Sequence, residues 1–294
     1  MKRGRTKRLM KRAGKSSLAL LPGLVYSWVF FVVPLLILFR YSFNRNLGIG
    51  KMETTFTMEN YVGFFSDSFY LKVLADSFKI AIVVCIIVIL VSYPLAYYLA
   101  RTNSVVQRIV SSQVLLPLLV CAVVTASGWT ILLAERGVIN TALLNQGIID
   151  QPLKLMYNRL GIYIAQVHAG IPYMVIQIKN SLVSMDKNAE NAARTLGANK
   201  IKVFATVTLP LSLPGIAAGT MLVFVDVMSS FIIIVLLGGG KVNTLATLIL
   251  TQTDRVSNWP FAATVSLILL ITSTIVLYAY NKLLESRLLG GGGR

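Results

Sequence analysis

Asp226 is the most informative ionisable residue of this chain, because it lies near the middle of a long apolar stretch. Leu222 and Val223 precede it at helical spacing and Ser229 and Ser230 follow it, so a polar strip runs toward one end of the stretch. Ionisable groups in such surroundings are costly and are usually retained for a function. The strip is typical of polar residues that line a path through a membrane and pair with a cation. A hydrogen bond to a partner helix, or a protonated acid, accounts for it equally well.

A second apolar stretch carries His168, Tyr173 and Gln177, three further side chains that form hydrogen bonds. His168 could also act as a base toward Ser127, since residues 125–128 resemble the G-x-S-G motif of rhomboid-type intramembrane proteases. The first position of that motif is threonine here instead of the required glycine. Because a lone histidine in a membrane more often packs against neighbours, we assign no catalytic residue.

The chain holds neither a nucleotide-binding motif nor a metal-ligand pattern. Residues 238–241 read Gly-Gly-Gly-Lys, but Val242 stands where a phosphate-binding loop needs serine or threonine, and no strand precedes it. One histidine with Cys85 and Cys121, both inside apolar stretches, predicts no metal site and no structural disulfide. We therefore expect no cofactor in this chain. If the protein moves a solute uphill, the energy must come from elsewhere.

Membrane-spanning helices are expected to position these side chains. Of 294 residues, 55% are hydrophobic and 13% charged, with a mean hydropathy of +0.72, whereas soluble domains carry about a quarter charged residues. A helix of about 20 apolar residues crosses the bilayer core, and lipid forces the backbone to bond internally. Pro94, Pro117 and Pro172 are expected to kink the second, third and fourth spans. The six predicted spans are 18–39, 78–99, 109–133, 162–182, 213–237 and 261–284.

The distribution of lysine and arginine predicts that both termini lie in the cytoplasm. The net charge is +17, and seventeen of the 28 basic residues fall in the N-terminal segment, two alternate loops and the C-terminal end. Nine fall in the other loops. Cytoplasmic segments carry such an excess. Attraction to anionic lipid headgroups accounts for the basic N-terminus without any nucleic acid.

These features predict an all-α membrane protein with five sequential parts. We expect a basic cytoplasmic segment at 1–17, a first transmembrane helix at 18–39 and an extracytoplasmic loop at 40–77. A core of five transmembrane helices follows at 78–284, and a cytoplasmic tail at 285–294. The first apolar run is too long for a cleavable signal peptide and lacks a small-x-small cleavage site, so we interpret it as a retained span.

A polar stretch at 186–216 interrupts the apolar pattern between the fourth and fifth spans. Its small apolar side chains recur at helical spacing, which predicts a slim ridge suited to docking in another protein's cleft. An amphipathic connector on the membrane surface is the alternative. The ridge consists of Leu182, Met185, Ala189, Ala192, Ala193 and Leu196.

Three further residues define this predicted helix. Glu190 and Arg194 lie four positions apart on the opposite face and are expected to form an ion pair. Gly197 is placed to end the helix. Pro210 and Pro214 then mark the return to the bilayer.

The same stretch resembles the EAA loop of ABC-importer permeases, which reads Glu-Ala-Ala, three residues, Gly and a later Leu-Pro. The alanines at 192–193 and Gly197 match that pattern, whereas Asn191 stands in the glutamate position and the acid is displaced to Glu190. An extended form of the pattern continues nearly complete to residue 216. Residues 258–261, Asn-Trp-Pro-Phe, resemble the spermidine/putrescine-type permeases in particular.

The resemblance implies the type I permease subunit of an ABC importer in a bacterial inner membrane. Such a subunit pairs with a second, identical or homologous permease. It binds two cytosolic ATPases, which hold ATP and Mg²⁺, and receives solute from an extracytoplasmic binding protein. The stretch 186–216 would then hold a coupling helix that contacts an ATPase through Glu190, Asn191, Ala192, Ala193, Arg194, Leu196 and Gly197.

The resemblance implies a translocation path for a small solute, such as a polyamine or a related amine. Related permeases often carry an acid and a Thr-Pro pair before the glycine-rich turn, where this chain reads Ser230, Ile232, Ile233 and Ile234, so a polyamine is less strongly indicated. The residues predicted to line the path are Asp226, Ser229, Ser230, His168, Tyr173 and Gln177.

An ion-coupled secondary transporter or channel is the alternative function. A protein of that class needs no coupling helix and no ATPase. Inverted repeats with broken helices would favour it, and the sequence shows no such repeat.

Overall fold

A computed structural model describes residues 22–23, 25–48 and 50–289 of this chain. The predicted basic segment 1–17, the start of the first predicted span and residues 290–294 lie outside the described residues. Helices form most of the described chain, as the predicted all-α class requires. They are α1 Val25–Tyr41, α2 Glu59–Ser66, α3 Ser68–Arg101, α4 Val105–Leu115, α5 Ala122–Leu133, α6 Val138–Asn145, α7 Arg159–Ser184, α8 Lys187–Thr195, α9 Lys200–Val203, α10 Leu209–Ser229, α11 Ile232–Gly238, α12 Leu245–Leu250 and α13 Trp259–Leu289.

Short irregular helical turns and one hairpin complete the described chain. The antiparallel strands β1 (Arg45–Gly48) and β2 (Lys51–Glu53) form the hairpin. A 3₁₀ turn follows α4, and π-helical turns follow α9 and α12. Four stretches of the described residues are long and apolar enough to cross a membrane: Ser68–Arg101, Ala122–Asn145, Lys200–Ser229 and Trp259–Leu284.

Helix α3 begins ten residues before the predicted second span, so the stretch 40–77 is not a simple loop. It contains the hairpin, α2 and the first turns of α3. Asp67 starts α3 by accepting a hydrogen bond from the Phe69 amide at 2.8 Å. Hydropathy missed these turns because Lys72 and Asp76 interrupt the apolar pattern. Asp76 pairs with Arg159 at the start of α7, at 2.8 Å.

The predicted third span, 109–133, is wrong as a single helix. Helix α4 gives way to a 3₁₀ turn at Leu116–Leu119, and Val120 and Cys121 are extended before α5 begins. Pro117 lies in this turn and has no amide hydrogen to continue an α-helix. Helices α3 and α7 instead continue past their internal prolines.

The predicted fifth span, 213–237, is wrong at both ends. A continuous helical stretch begins at Lys200, where Asn199 caps it by accepting from the Lys202 amide at 2.8 Å, and it ends at Ser229. Ser230 is extended, and α11 follows as a separate short helix. The helical conformation is therefore interrupted twice within predicted spans, at Val120–Cys121 and at Ser230.

Helices α3, α7 and α10 form the centre of the fold, and glycines allow two of them to approach closely. A Cβ at Gly215 would lie 2.6 Å from the carbonyl oxygen of Gln177, and one at Gly219 would lie 2.6 Å from the Met174 sulfur. The spacing Gly-x-x-x-Gly is typical of helices whose backbones pack together in a membrane. This contact fixes α10 against α7.

We expect Gly215→Ala to destabilise the chain by about 2 kcal/mol, because overpacking at a contact with backbone atoms cannot relax freely. Thermal unfolding of the purified protein in detergent measures the effect. Gly128→Ala is the matched control in α5, since a Cβ there would meet nothing within 4 Å. Equal melting temperatures for the two variants would contradict the close α7–α10 packing.

Candidate functional site

Helix α8 and the turn after it have the form that the sequence predicts. Asp186 caps the helix by accepting from the Asn188 amide at 2.9 Å. Gly197 has φ +85°, and its amide donates to the Arg194 carbonyl at 2.9 Å. A positive φ is unstrained for glycine, so Gly197 ends the helix as expected.

The expected ion pair between Glu190 and Arg194 is wrong. Glu190 is only 7% exposed and turns toward the body of the protein. It accepts hydrogen bonds from Arg101 Nη2 at 2.5 Å and from the Thr208 hydroxyl at 2.7 Å. Arg194 lies in solvent. Attraction between charges is stronger where water is largely excluded, and this favours Arg101 over a surface partner.

The buried Glu190 sets the rotation of α8 about its axis and divides the predicted alanine ridge. Ala189 and Ala193 are half-buried against the body, whereas Asn191 and Ala192 are exposed. Leu196 follows the helix and is 88% exposed. The free surface of α8 is therefore more polar than the sequence predicts, and Leu196 is its most exposed apolar side chain.

A cavity of about 280 Å³ lies where the two helix interruptions, near Val120 and near Ser230, come together. It gathers four of the six residues predicted to line a path, namely Asp226, Ser229, Ser230 and Tyr173. The other lining residues come from the 3₁₀ turn, α5, α7 and the start of α11: Pro117, Leu118, Val120, Ala122, Thr125, Ala169, Phe231, Ile232 and Ile233.

The cavity contains one acidic side chain. Asp226 is the only Asp, Glu, Lys or Arg among its lining residues in the described chain. The Ser229 hydroxyl donates to backbone carbonyls of its own helix, at 2.9 Å to Val225 and 3.1 Å to Asp226. Its donor is thus already used. The other polar side chains of the lining are Asp226, Tyr173, Ser230 and Thr125.

His168 and Gln177 do not line this cavity. The Trp129 indole N–H donates to His168 Nδ1 at 3.4 Å, and the two rings pack edge to face. His168 lines a neighbouring cavity of about 410 Å³. Gln177 lies one helical turn beyond Tyr173, at the contact of α7 with Gly215. Within the described residues no hydrogen bond joins His168 to Ser127, so the geometry lends no support to a protease.

Sequence reasoning missed two features of the site. From the sequence, Arg101 is one of the basic residues between the second and third predicted spans, and nothing there indicates that it holds Glu190 in place. The break at Ser230, which opens the cavity beside Asp226, was also missed. An arginine just after an apolar span is a sequence signal that could have indicated the role of Arg101. The isoleucines after Ser230 gave no signal of the helix interruption there.

Comparison with known proteins identifies the family. Residues 81–290 match the family described as binding-protein-dependent transport system inner membrane component. The spermidine/putrescine transport system permease protein PotB of Haemophilus influenzae is 30% identical over 269 residues, covering 90% of this chain and 94% of that protein. The molybdenum transport system permease protein ModB of Mycobacterium bovis is 28% identical over 201 residues, covering 68% and 74%.

A solved structure shares the whole fold. A bacterial alginate ABC transporter, in complex with an alginate pentasaccharide-bound periplasmic protein, aligns with a TM-score of 0.79 at 16% identity, covering 98% of this chain and 99% of that chain. With most of its length matched by the family, this chain belongs to the binding-protein-dependent transport system inner membrane components, as a multi-pass ABC-importer permease of the bacterial inner membrane.

Proposed function

We propose that this permease forms the translocation path of an ATP-driven importer, with six spans and both termini in the cytoplasm. A second permease completes the path. Two cytosolic ATPases bind ATP and Mg²⁺ and hydrolyse the ATP, and an extracytoplasmic binding protein delivers the solute. The observation that carries the proposal is α8, a short capped helix with a free face and an exposed Leu196, at the position of the EAA pattern.

Alternating access is the proposed mechanism. ATP binding draws the two ATPases together, and each moves the α8 helix seated in its cleft. The spanning helices then shift as rigid bodies, because packed helices slide and rotate more readily than they deform. The cavity beside Asp226 opens outward and closes inward, and hydrolysis resets it. The proposed ATPase contact is the free face of α8: Asn191, Ala192, Arg194, Leu196 and Gly197.

Co-purification and uptake test this function against the alternative of a secondary carrier. The chain is expressed with its candidate ATPases, purified in detergent and reconstituted into proteoliposomes. Co-elution with an ATPase and uptake that needs ATP support the importer. Uptake by the chain alone, driven by a proton or sodium gradient, would favour the carrier.

The orientation predicts that Asn191→Cys is labelled only from the cytoplasmic side. The residue is exposed on α8, so in a permease expressed without its ATPases a membrane-impermeant maleimide should modify it in inside-out vesicles and not in intact spheroplasts. Lys51→Cys, exposed in the hairpin, should show the opposite pattern. Both variants are made with Cys85 and Cys121 replaced by serine. Labelling of position 191 in sealed spheroplasts would overturn the proposed topology.

We infer that the solute is a small cationic amine. Two observations support this inference: Asp226 is the one charged group of the cavity lining within the described residues, and PotB relatives are named for spermidine and putrescine. A ModB relative is named for molybdenum transport, so family membership alone does not select an amine. Binding of candidate amines to the purified cognate binding protein, measured by calorimetry, tests the solute class directly.

A further inference from the structure

A buried ion pair joins α8 to the end of α3. Arg101 Nη2 lies 2.5 Å from Glu190 Oε1, and only 17% of the Arg101 side chain and 9% of the Glu190 side chain are exposed. The Arg45–Glu59 pair beside the hairpin is 58% and 60% exposed. Exposed pairs contribute little, whereas loss of one partner from a buried pair leaves an uncompensated charge. The Arg101–Glu190 pair therefore holds α8 and α3 in one geometry.

The same carboxylate ties α8 to α10. The Thr208 hydroxyl donates to Glu190 Oε1 at 2.7 Å, and Thr208 ends the π-helical turn that leads into α10. Helix α10 has 21 residues, and at 1.5 Å per residue it is about 30 Å long. Asp226 and Ser229 lie at its far end, in the cavity. The Glu190 side chain is thus bonded to the start of α10, the helix that carries Asp226.

Helix α10 is also fixed to its neighbours along its length. The Tyr93 hydroxyl on α3 is 2.9 Å from the Ser212 hydroxyl in the first turn of α10. Gly215 and Gly219 bring its backbone against α7. Close-packed interiors transmit displacement because they have little room to deform. A movement of α8 can therefore reach the cavity through α10.

We propose that Glu190 is a positioning residue that transmits movement of α8 to α3 and α10, and does not itself touch the ATPase. Arg101 is its charged partner and Thr208 its neutral partner. This assignment rests on the proposed function, since it requires an ATPase bound to α8. It differs from the contact role that the sequence predicts for Glu190, because the carboxylate points away from the free face.

The test uses the assembled importer in lipid nanodiscs, with its ATPases and purified cognate binding protein. ATP hydrolysis is measured with and without the binding protein, whose signal must cross the membrane to reach the ATPases. Glu190→Gln preserves side-chain size and removes the charge. We expect it to reduce stimulation by the binding protein about 10-fold, within the range of allosteric coupling, while ATPase co-elution stays near wild type. The melting temperature should fall, because Arg101 is left as a buried charge without its partner.

Matched variants separate transmission from general damage. Arg101→Gln should lose stimulation as Glu190→Gln does. Arg108→Gln removes the same charge from an exposed residue nearby and should keep it. The double exchange Arg101→Glu with Glu190→Arg should recover most of the stimulation, since it re-forms the pair.

Wild-type stimulation in an assembled Glu190→Gln importer would overturn the positioning role, as would an equal loss in Arg108→Gln. Absence of any ATPase co-eluting with the wild-type chain would instead overturn the proposed function. If Glu190→Gln does not assemble, Thr208→Val replaces it, because that change deletes only the 2.7 Å hydrogen bond. We then expect about a 10-fold loss of stimulation, because a hydrogen bond to a charged carboxylate is stronger than one between neutral groups, and an unchanged ratio would refute the assignment.

Discussion

Leu196→Asp is expected to abolish ATP-driven uptake by releasing the ATPase. The Leu196 side chain is 88% exposed, so the substitution removes no packing within the permease. Burial of a leucine in a partner's cleft contributes about 1.5–3 kcal/mol, and a carboxylate there must lose its hydration as well. We expect ATPase affinity to fall about 100-fold or more, measured by co-elution from detergent and by binding of purified ATPase to immobilised permease.

Leu47→Asp is the matched control for this prediction. Leu47 is also an exposed leucine, at 59%, but it lies in the hairpin, far along the chain from α8. Its replacement should leave ATPase co-elution unchanged, and both variants should melt near the wild-type temperature. Normal ATPase binding by Leu196→Asp would show that the free end of α8 is not the docking surface.

Asp226→Asn is expected to reduce uptake of a cationic amine about 100-fold, the range measured when one member of a desolvated charge pair is neutralised. Asparagine keeps the size of the side chain and its hydrogen-bonding capacity, so the loss reports the charge. The measurement is ATP-dependent uptake of radiolabelled putrescine into proteoliposomes, taken at low concentration so that it reflects both binding and transport.

Asp150→Asn provides the matched carboxylate-to-amide control, because Asp150 is exposed and does not line the cavity. Its uptake should equal that of wild type, and ATPase co-elution should be normal in both variants. Unchanged putrescine uptake in Asp226→Asn would assign Asp226 to helix packing or to contact with the second permease. It would leave the ATPase contact of α8 untouched.

The Leu196→Asp and Asp226→Asn predictions concern the two ends of the proposed route by which movement passes from the ATPase to the cavity. Leu196 lies where an ATPase is proposed to bind, and Asp226 lies in the cavity at the far end of α10. Between them, Glu190 bonds to the residue that immediately precedes α10. A change at either end is therefore expected to alter uptake for a different measurable reason, ATPase binding in one case and solute handling in the other.

Several elements followed from local sequence. The helix of α8 and its end at Gly197 were predictable, because alanine-rich periodicity and a glycine at the C-terminus are properties of neighbouring residues. The apolar character of the spans was predictable for the same reason. The polar strip from Asp226 to Ser230 was also visible, and the structure brings its members into one cavity.

The bounds of the spans were less predictable. Hydropathy finds where a helix is apolar, but it does not find where a helix begins or breaks. Asp67 and Asn199 start helices outside the apolar windows through caps. The interruption at Ser230 lies inside the predicted fifth span, where no proline or glycine marks it.

Composition and charge distribution were enough to predict a helical membrane protein, and the resemblance of the stretch 186–216 to the EAA loop added the permease function, because all of these are local and cumulative signals. The direction of the Glu190 side chain depends on the packing of distant segments, because its partners Arg101 and Thr208 are 89 and 18 residues away along the chain. The same holds for the cavity, whose walls come from three separate segments of the chain, 117–125, 169–173 and 226–233. Spacing along one helix specifies a face, but the residue that meets that face depends on how the helices pack.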